Sequence, residues 1–446
     1  MSESLRAGAA LTIITPPVGV DLCGFRARSG PSEGVHDDLR AAALCLEAGQ
    51  TALLITADLI GLDAGTVAEV RQQIARATDV PAGNVMITCS HTHAGPATPC
   101  INYLGWPDPG YMGELTAKLA GVGIQAWAGR AEATWAAGRG EVRVGWNRRE
   151  VRGGVTLLGC DPAGLCGRHV DVLRVDGPSG APVALWMCHP AHAVAMRADN
   201  LLISGDWAGY AQRAVEAIYP GSVALFAQGC CGNINCDKCE GFDDAQRLGE
   251  RLAEAVRGIA GRLQTAASGQ VAAASEELAL PLQDPPPVEQ ARAAHEAVVH
   301  DRDEQWEAAH YGNRMVLDGY VDWTGRILAL AERGATGLSV PFEVQAIRAG
   351  DLCIVGLPGE VFVEYALSID AASPCPLTAV PAYTNGNVGY VPTAAAFDVG
   401  GYEVETAIGY YGDTMLAPQC ERLILDAAAR VLERVCAGCG GGADGN

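Results

Sequence analysis

The chain has 446 residues, 49% hydrophobic and 19% charged, which supplies a sizeable core and allows either two or three domains or one large α/β catalytic domain. A net charge of −21, scattered along the sequence, repels phosphate backbones and anionic lipid, so nucleic acid is not an expected partner. No stretch approaches the ~18 uninterrupted apolar residues of a membrane-spanning helix, so no stable membrane insertion is expected. No basic segment followed by a long apolar one opens the chain; a soluble cytoplasmic protein is expected, or a secreted one if a leader has been trimmed.

Strands and helices alternate along the chain. TALLITADLIG (51–61) reads as a buried strand and AGTVAEVRQQIARATDV (64–80) as a helix ending near Pro81. VMITCS (85–90) is the next strand, residues 111–133 a long helix, and EVRVGW (141–146) a strand. VALWMC (183–188) and SVALFAQG (222–229) are short buried strands around a helix at 205–219, and residues 243–263 form a strongly amphipathic helix. A run of three prolines in LPLQDPPPVE (280–289) marks a connector, with charge-mixed helical sequence over 287–334. A hairpin turning at Ala-Gly-Asp (341–360), a helix (361–372), a Gly/Tyr-rich segment (383–412) and a final helix (414–436) complete the pattern. This alternation predicts an α/β fold with mixed β-sheets flanked by helices. Residues 1–435 are expected to form one catalytic domain, and 436–446 a flexible Gly/Cys tail.

Sixteen cysteines are unevenly placed: Cys230, Cys231, Cys236 and Cys239 share one loop, Cys160 and Cys166 another, and Cys436 and Cys439 lie in the tail. Free thiols are the leading expectation without a leader. Loop disulfides, or a structural zinc held by the pairs Cys236-x-x-Cys239 and Cys436-x-x-Cys439, are the alternatives.

Three strands end on metal-ligand residue types. VMITCS runs into His91-Thr-His93, VALWMC into His189-Pro-Ala-His192, and DLCIVGL into Pro-Gly-Glu360. Ligands gather beyond the carboxyl ends of strands in α/β proteins, and two histidines with a carboxylate match a catalytic zinc site with an open position. The chain has nine histidines, and four lie in these two loops. The structural alternatives are a buried hydrogen-bonded histidine, and a Glu360 placed only to favour the dipole of the following helix. Cys188 beside His189 is a candidate nucleophile or a core thiol. Arg148 in Asn147-Arg148-Arg149, and Tyr390 and Tyr402 in the glycine-rich segment, are catalytic candidates or packing residues. QGCCGNIN lacks both phosphate-loop patterns.

Taken together these motifs resemble a known family. ITPPVGVDLCGF (14–25), HDDLRAAAL (36–44), SHTHAGP (90–96), WNRRE (146–150), CHP (188–190), ISGDWAGYA (203–211), LPGEVFVEY (357–365) and GYVPT…GGYE (389–403) are similar, in that order, to segments of the catalytic domain of neutral, non-lysosomal ceramidases and their bacterial relatives. The resemblance implies a mixed α/β sandwich, a zinc cofactor (Zn2+) held by His91, His189, Glu360 and the phenol of Tyr390, and His93 beside the water. It also implies that Arg148 and Tyr402 bind the substrate carbonyl and its oxyanion. No counterpart of the family's immunoglobulin-like C-terminal domain is expected from this sequence, which closes on a helix and a Gly-rich tail. Where the family has Gly-Asp-x-Ser-Pro the chain reads Gly232-Asn233-Ile234-Asn235-Cys236; the absent serine favours water as the attacking group. The expected activity is zinc-dependent hydrolysis of a small-molecule acyl amide. A zinc esterase or lactonase, a Cys188-dependent thiol hydrolase, and a non-catalytic metal- or ligand-binding protein stay open, as does a homo-oligomeric state.

Overall fold

The segments RAAALCLEA and QTALLITA are buried at nearly every position, the pattern of strands covered on both faces, and the computed structural model shows what covers them. It describes residues 4–237 and 240–437; Cys239, Cys439 and the expected tail beyond 437 lie outside the described residues. In chain order the main elements are β1 (Arg6–Ile13), β2 (Arg40–Ala48), β3 (Gln50–Ala57), α1 (Ala64–Ala77), β4 (Val85–Cys89) and α2 (Pro109–Ala128). There follow β5 (Thr134–Glu141), β6 (Gly145–Arg152), β7 (Val155–Asp161), β8 (His169–Asp176), β9 (Pro182–His189), α3 (Asp206–Ile218), β10 (Val223–Gln228), β11 (Ile234–Cys236) and α4 (Phe242–Ala260). The last stretch holds β12 (Val271–Pro281), α5 (Val288–Gln305), α6 (Tyr311–Glu332), β13 (Ser339–Ala349), β14 (Leu352–Gly356), β15 (Glu360–Val361), α7 (Val363–Ala372), β16 (Leu377–Ala379), β17 (Tyr390–Val391) and α8 (Cys420–Cys436).

Three large mixed sheets share one construction. They run β4-β3-β2-β1 with Ala131–Glu132 at the edge, β10-β9-β8-β5, and β12-β13-β14-β16. Each is antiparallel except for one parallel pair, β3/β4, β9/β10 or β14/β16, and each parallel pair is joined through a helix: α1, α3 or α7. Side-chain alternation sorts the residues into two cores. Ala42, Leu44 and Leu46 of β2 pack with Leu173, Trp186, Leu225, Ile347 and Ile354 from the other two sheets. The intervening Ala41, Ala43 and Cys45 join the core that takes in Val70 and Ile74 of α1 and Leu115 and Leu119 of α2. The result is the expected mixed α/β architecture, with helices on the outer faces of stacked sheets.

The structure shifts several expected boundaries. The long helix stops at Ala128, and Ala131 and Glu132 instead enter strand pairing because β1 offers them a free edge. Residues 141–146 hold the end of β5, a break at 142–144 and the start of β6, not a single strand. The final helix begins at Cys420, after Pro418, and the connector's first residues belong to β12. No helix among the described residues is long and apolar enough to cross a membrane.

Candidate metal centre

The centre forms where β4, β9 and β14 run out. Beyond β4 the chain turns sharply, and His91 takes a left-handed φ of 59°, which is uncommon for a side-chain-bearing residue and costs energy that the surroundings must offset. Its N–H donates to the Leu59 carbonyl at 2.9 Å, its ring stacks on Tyr383 at 4.0 Å, and its Nδ1–H donates to the Ile60 carbonyl at 2.6 Å. His192 lies three residues past β9. Its N–H donates to the Ile234 carbonyl at 3.0 Å, its own carbonyl accepts from the Trp207 indole at 3.0 Å, and its Nδ1–H points at the carbonyls of Cys231 and Ile234, 2.7 and 3.0 Å away. A carbonyl only accepts, so both imidazoles carry their proton on Nδ1 and leave Nε2 bare.

These bare nitrogens face a carboxylate. Oε2 of Glu360 lies 3.0 Å from His192 Nε2 and 3.6 Å from His91 Nε2, and all three side chains are buried. Glu360 opens β15, paired in register with Tyr390 of β17; Tyr411 donates to its Oε1 and Tyr383 to its Oε2. His93 brings a third Nε2, 3.1 Å from that of His91, and His91, His93 and His192 each offer a ring nitrogen within 4.8 Å of the others. Buried lone pairs aimed at one another repel unless a cation lies among them. The nitrogen and oxygen donor set, with backbone carbonyls fixing two of the rings, suits a metal ion. The group can therefore hold a metal ion. Burial alone would raise the Glu360 pKa, but His91 and His192, where protonated on Nε2, outweigh it and hold the carboxyl well below its usual range. Burial first, and then positive charge on His91 and His192 wherever those rings are protonated, pushes His93 far down.

His93 differs from the other two histidines. No side chain or backbone group takes its buried Nδ1 among the described residues, so its tautomer is not fixed. Its ring sits against Phe25 at 5.0 Å and over Gly24, where a Cβ would stand 2.2 Å from Nδ1. Glycine is thus required at position 24 for the ring to lie where it does.

Arg148 lies within β6 and is buried beside the histidines. Nε donates to Glu403 Oε1 at 2.9 Å, Nη1 to Asn235 Oδ1 at 3.2 Å and Nη2 to the Tyr390 hydroxyl at 2.8 Å; Nη1 also stands 3.3 Å from His192 Nε2. Glu403 is shared with Arg149 at 2.5 Å. Burial works against the guanidinium's charge, but Tyr390 and then Glu403 overcome it and raise its pKa further. Tyr402, half-buried, packs edge-on to Tyr390 with ring centres 5.7 Å apart. Tyr390 and Tyr411 also line a cavity of about 390 Å³, together with Cys100, Asn387, Val388 and Leu416. A larger hollow of about 600 Å³, lined by Tyr103, Trp106, Tyr311 and Met315, includes none of these residues.

His91, His93, Glu360, Arg148, Tyr390 and Tyr402 thus come together in the order the sequence suggested, but His189 does not join them. It is the last residue of β9, and its Nδ1–H donates to the His169 carbonyl of neighbouring β8 at 2.8 Å. The chain must leave the sheet before it can reach the other ligands, so the residue that arrives is His192, visible in the same His-Pro-Ala-His stretch. The Tyr390 hydroxyl accepts from Arg148 Nη2, and Tyr390 pairs in register with Glu360. Cys188 belongs to the core between the sheets; burial, then the Asp171 charge, pushes its thiol far up, which removes the thiolate a thiol hydrolase needs. Of the cysteine-rich loop, Cys230 and Cys231 are buried free thiols and Cys236 is buried. Glu403 stood next to Tyr402 in the sequence without drawing notice, and Tyr411 has no local signal.

Burial lowers the His189 pKa to about 4, the carbonyl of His169 only partly opposing it. The unfolded chain binds this proton near 6.5, so between pH 6.5 and about 4 the unfolded state holds more protons and stability falls on acidification, by about 3 kcal/mol from this group. His189→Asn, whose amide can donate to the His169 carbonyl, should lose less stability than wild type in urea titrations run at the two ends of that window. Equal losses in the two proteins would refute this placement.

A scan against protein-family models gave no match, and neither did a search of curated proteins. Solved structures did match: neutral ceramidase from Pseudomonas aeruginosa, at 20% identity over 97% of this chain and 75% of that one with a TM-score of 0.72. A ceramidase complexed with C2 matches at 18% identity over 97% and 76%, with a TM-score of 0.73. The chain has the neutral ceramidase fold. The similarity extends through all three large sheets, as 97% coverage requires, and bears out the sandwich expected from the motifs.

Proposed function

We propose that the protein is a zinc-dependent hydrolase of N-acyl amides, the class of bond named by its ceramidase structural neighbours. The observation that carries this reading is the convergence of two fixed, bare imidazole nitrogens and a buried carboxylate next to a buried arginine. His91, His192 and Glu360 would hold the ion, with Tyr390 adjacent. The chemistry such an ion supplies is Lewis acidity and hydroxide at neutral pH.

The chain's own groups do the rest. Arg148, fixed on three sides by Glu403, Asn235 and Tyr390, turns its remaining N–H donors toward the substrate carbonyl oxygen and stabilises the negative charge that develops there, with the Tyr402 hydroxyl as a second donor. His93, the one ring with an unfixed tautomer, accepts at Nε2 the proton of the attacking water and returns it to the leaving nitrogen. The C–N bond breaks, and a carboxylic acid and an amine leave. The cavity of about 390 Å³ beside Tyr390 and Tyr411 takes one arm of the substrate, a size suited to a small acyl amide.

The test is hydrolysis of a panel of N-acyl amides of increasing chain length with matched esters, before and after chelation by 1,10-phenanthroline. The expected result is amide cleavage that chelation abolishes and added zinc restores. Cleavage of esters alone would favour the esterase reading, and bound zinc with no turnover a binding protein.

A further inference from the structure

A second group of ligating side chains lies apart from this centre. The sulfurs of Cys353, Cys375 and Cys436 are within 4.8 Å of one another. Cys353 sits in β14, Cys375 in the turn between α7 and β16, and Cys436 at the end of α8; Cys353 is fully buried and the other two half-buried. Cys436 Sγ is 3.8 Å from Cys353 Sγ and 2.6 Å from Cys375 Sγ. Zinc–thiolate bonds of about 2.3 Å in a tetrahedron set sulfur–sulfur edges of ~3.8 Å, which the first separation matches. A disulfide uses two sulfurs, and here three converge from segments 61 and 83 residues apart. Arg348 faces Cys353 across the β13/β14 ladder, and its charge acts on Cys375 and Cys436, offsetting the net negative charge that three thiolates leave around a divalent ion.

We propose that Cys353, Cys375 and Cys436 form a structural zinc site. Each thiol gives its proton to solvent on ligation, and water or a further donor completes the tetrahedron; Cys439 lies outside the described residues and is not counted. The site ties α8 and the turn after α7 to β14, four residues before Glu360 follows that strand into the metal centre.

Metal analysis of the full chain, purified reduced from zinc-supplemented medium, tests this. Wild type should carry two zinc ions. The variant Cys353→Ser/Cys375→Ser/Cys436→Ser should carry one, and His91→Ala/His192→Ala also one, so that failure of either site is told from failure of the other. If the cysteine variant does not fold, cobalt-substituted His91→Ala/His192→Ala protein takes its place. It should show a thiolate-to-cobalt charge-transfer band that the further change Cys375→Ser removes or weakens. Absence of that band, equal zinc in wild type and the cysteine variant, or an unreduced chain lighter by the hydrogens of a Cys375–Cys436 disulfide would overturn the proposal.

Discussion

Arg148→Lys lowers kcat for amide hydrolysis roughly 10²- to 10³-fold, while bound zinc stays at the wild-type level. The magnitude is that of removing one preorganised donor from a developing oxyanion, about 3–4 kcal/mol. Lysine keeps the charge but not the fork. The guanidinium spends separate donors on Glu403, Asn235 and Tyr390 and still stands 3.3 Å from His192 Nε2. An ammonium group is a point charge on a flexible stem and cannot meet all of these at once. Arg148 supplies no atom to the ion, so metal content separates this effect from damage to the centre. Glu403→Gln, which weakens the hold on both Arg148 and Arg149, should lower kcat by a smaller factor with KM little changed. Full activity in Arg148→Lys would remove the arginine from the mechanism.

The larger loss falls at His192. His192→Ala removes one of the centre's two imidazoles whose Nδ1–H is committed to a backbone carbonyl, and with it a bare nitrogen 3.0 Å from Glu360. Zinc should not be retained at this centre, and turnover should fall to background, at least 10³-fold, because every proposed step depends on the ion. His189→Ala should keep both zinc and turnover at that centre. Its cost is in stability, through a lost hydrogen bond to His169 and a small cavity, on the order of 2 kcal/mol. The two substitutions lie three residues apart in one loop, so they discriminate sharply. An inactive, metal-depleted His189→Ala enzyme beside an active His192→Ala enzyme would restore the assignment suggested by the sequence.

How far the sequence could be read follows from which signals are local. Apolar runs such as VMITC and VALWMC placed β4 and β9 to within a residue or two, because strands buried on both faces leave an unmistakable composition. Ala131 and Glu132 were misassigned because only the neighbouring edge of β1, distant in sequence, turns them from helix to strand. In the centre, His91 and Glu360 were legible because each lies directly past a strand. His192 was not chosen over His189 because the choice depends on the path of a loop held by Ile234 and Trp207, which no spacing within His-Pro-Ala-His reveals. Glu403 and Tyr411 act through contacts with Arg148 and Glu360 some 255 and 51 residues away, beyond the reach of any pattern in one sequence.

Anomalous diffraction from crystals of the native protein, recorded on both sides of the zinc absorption edge, tests the account at its centre. A peak enclosed by Nε2 of His91, Nε2 of His192 and the carboxylate of Glu360 is the expected result. A peak at His189, or none at these residues in crystals of an enzyme that hydrolyses amides, would contradict it.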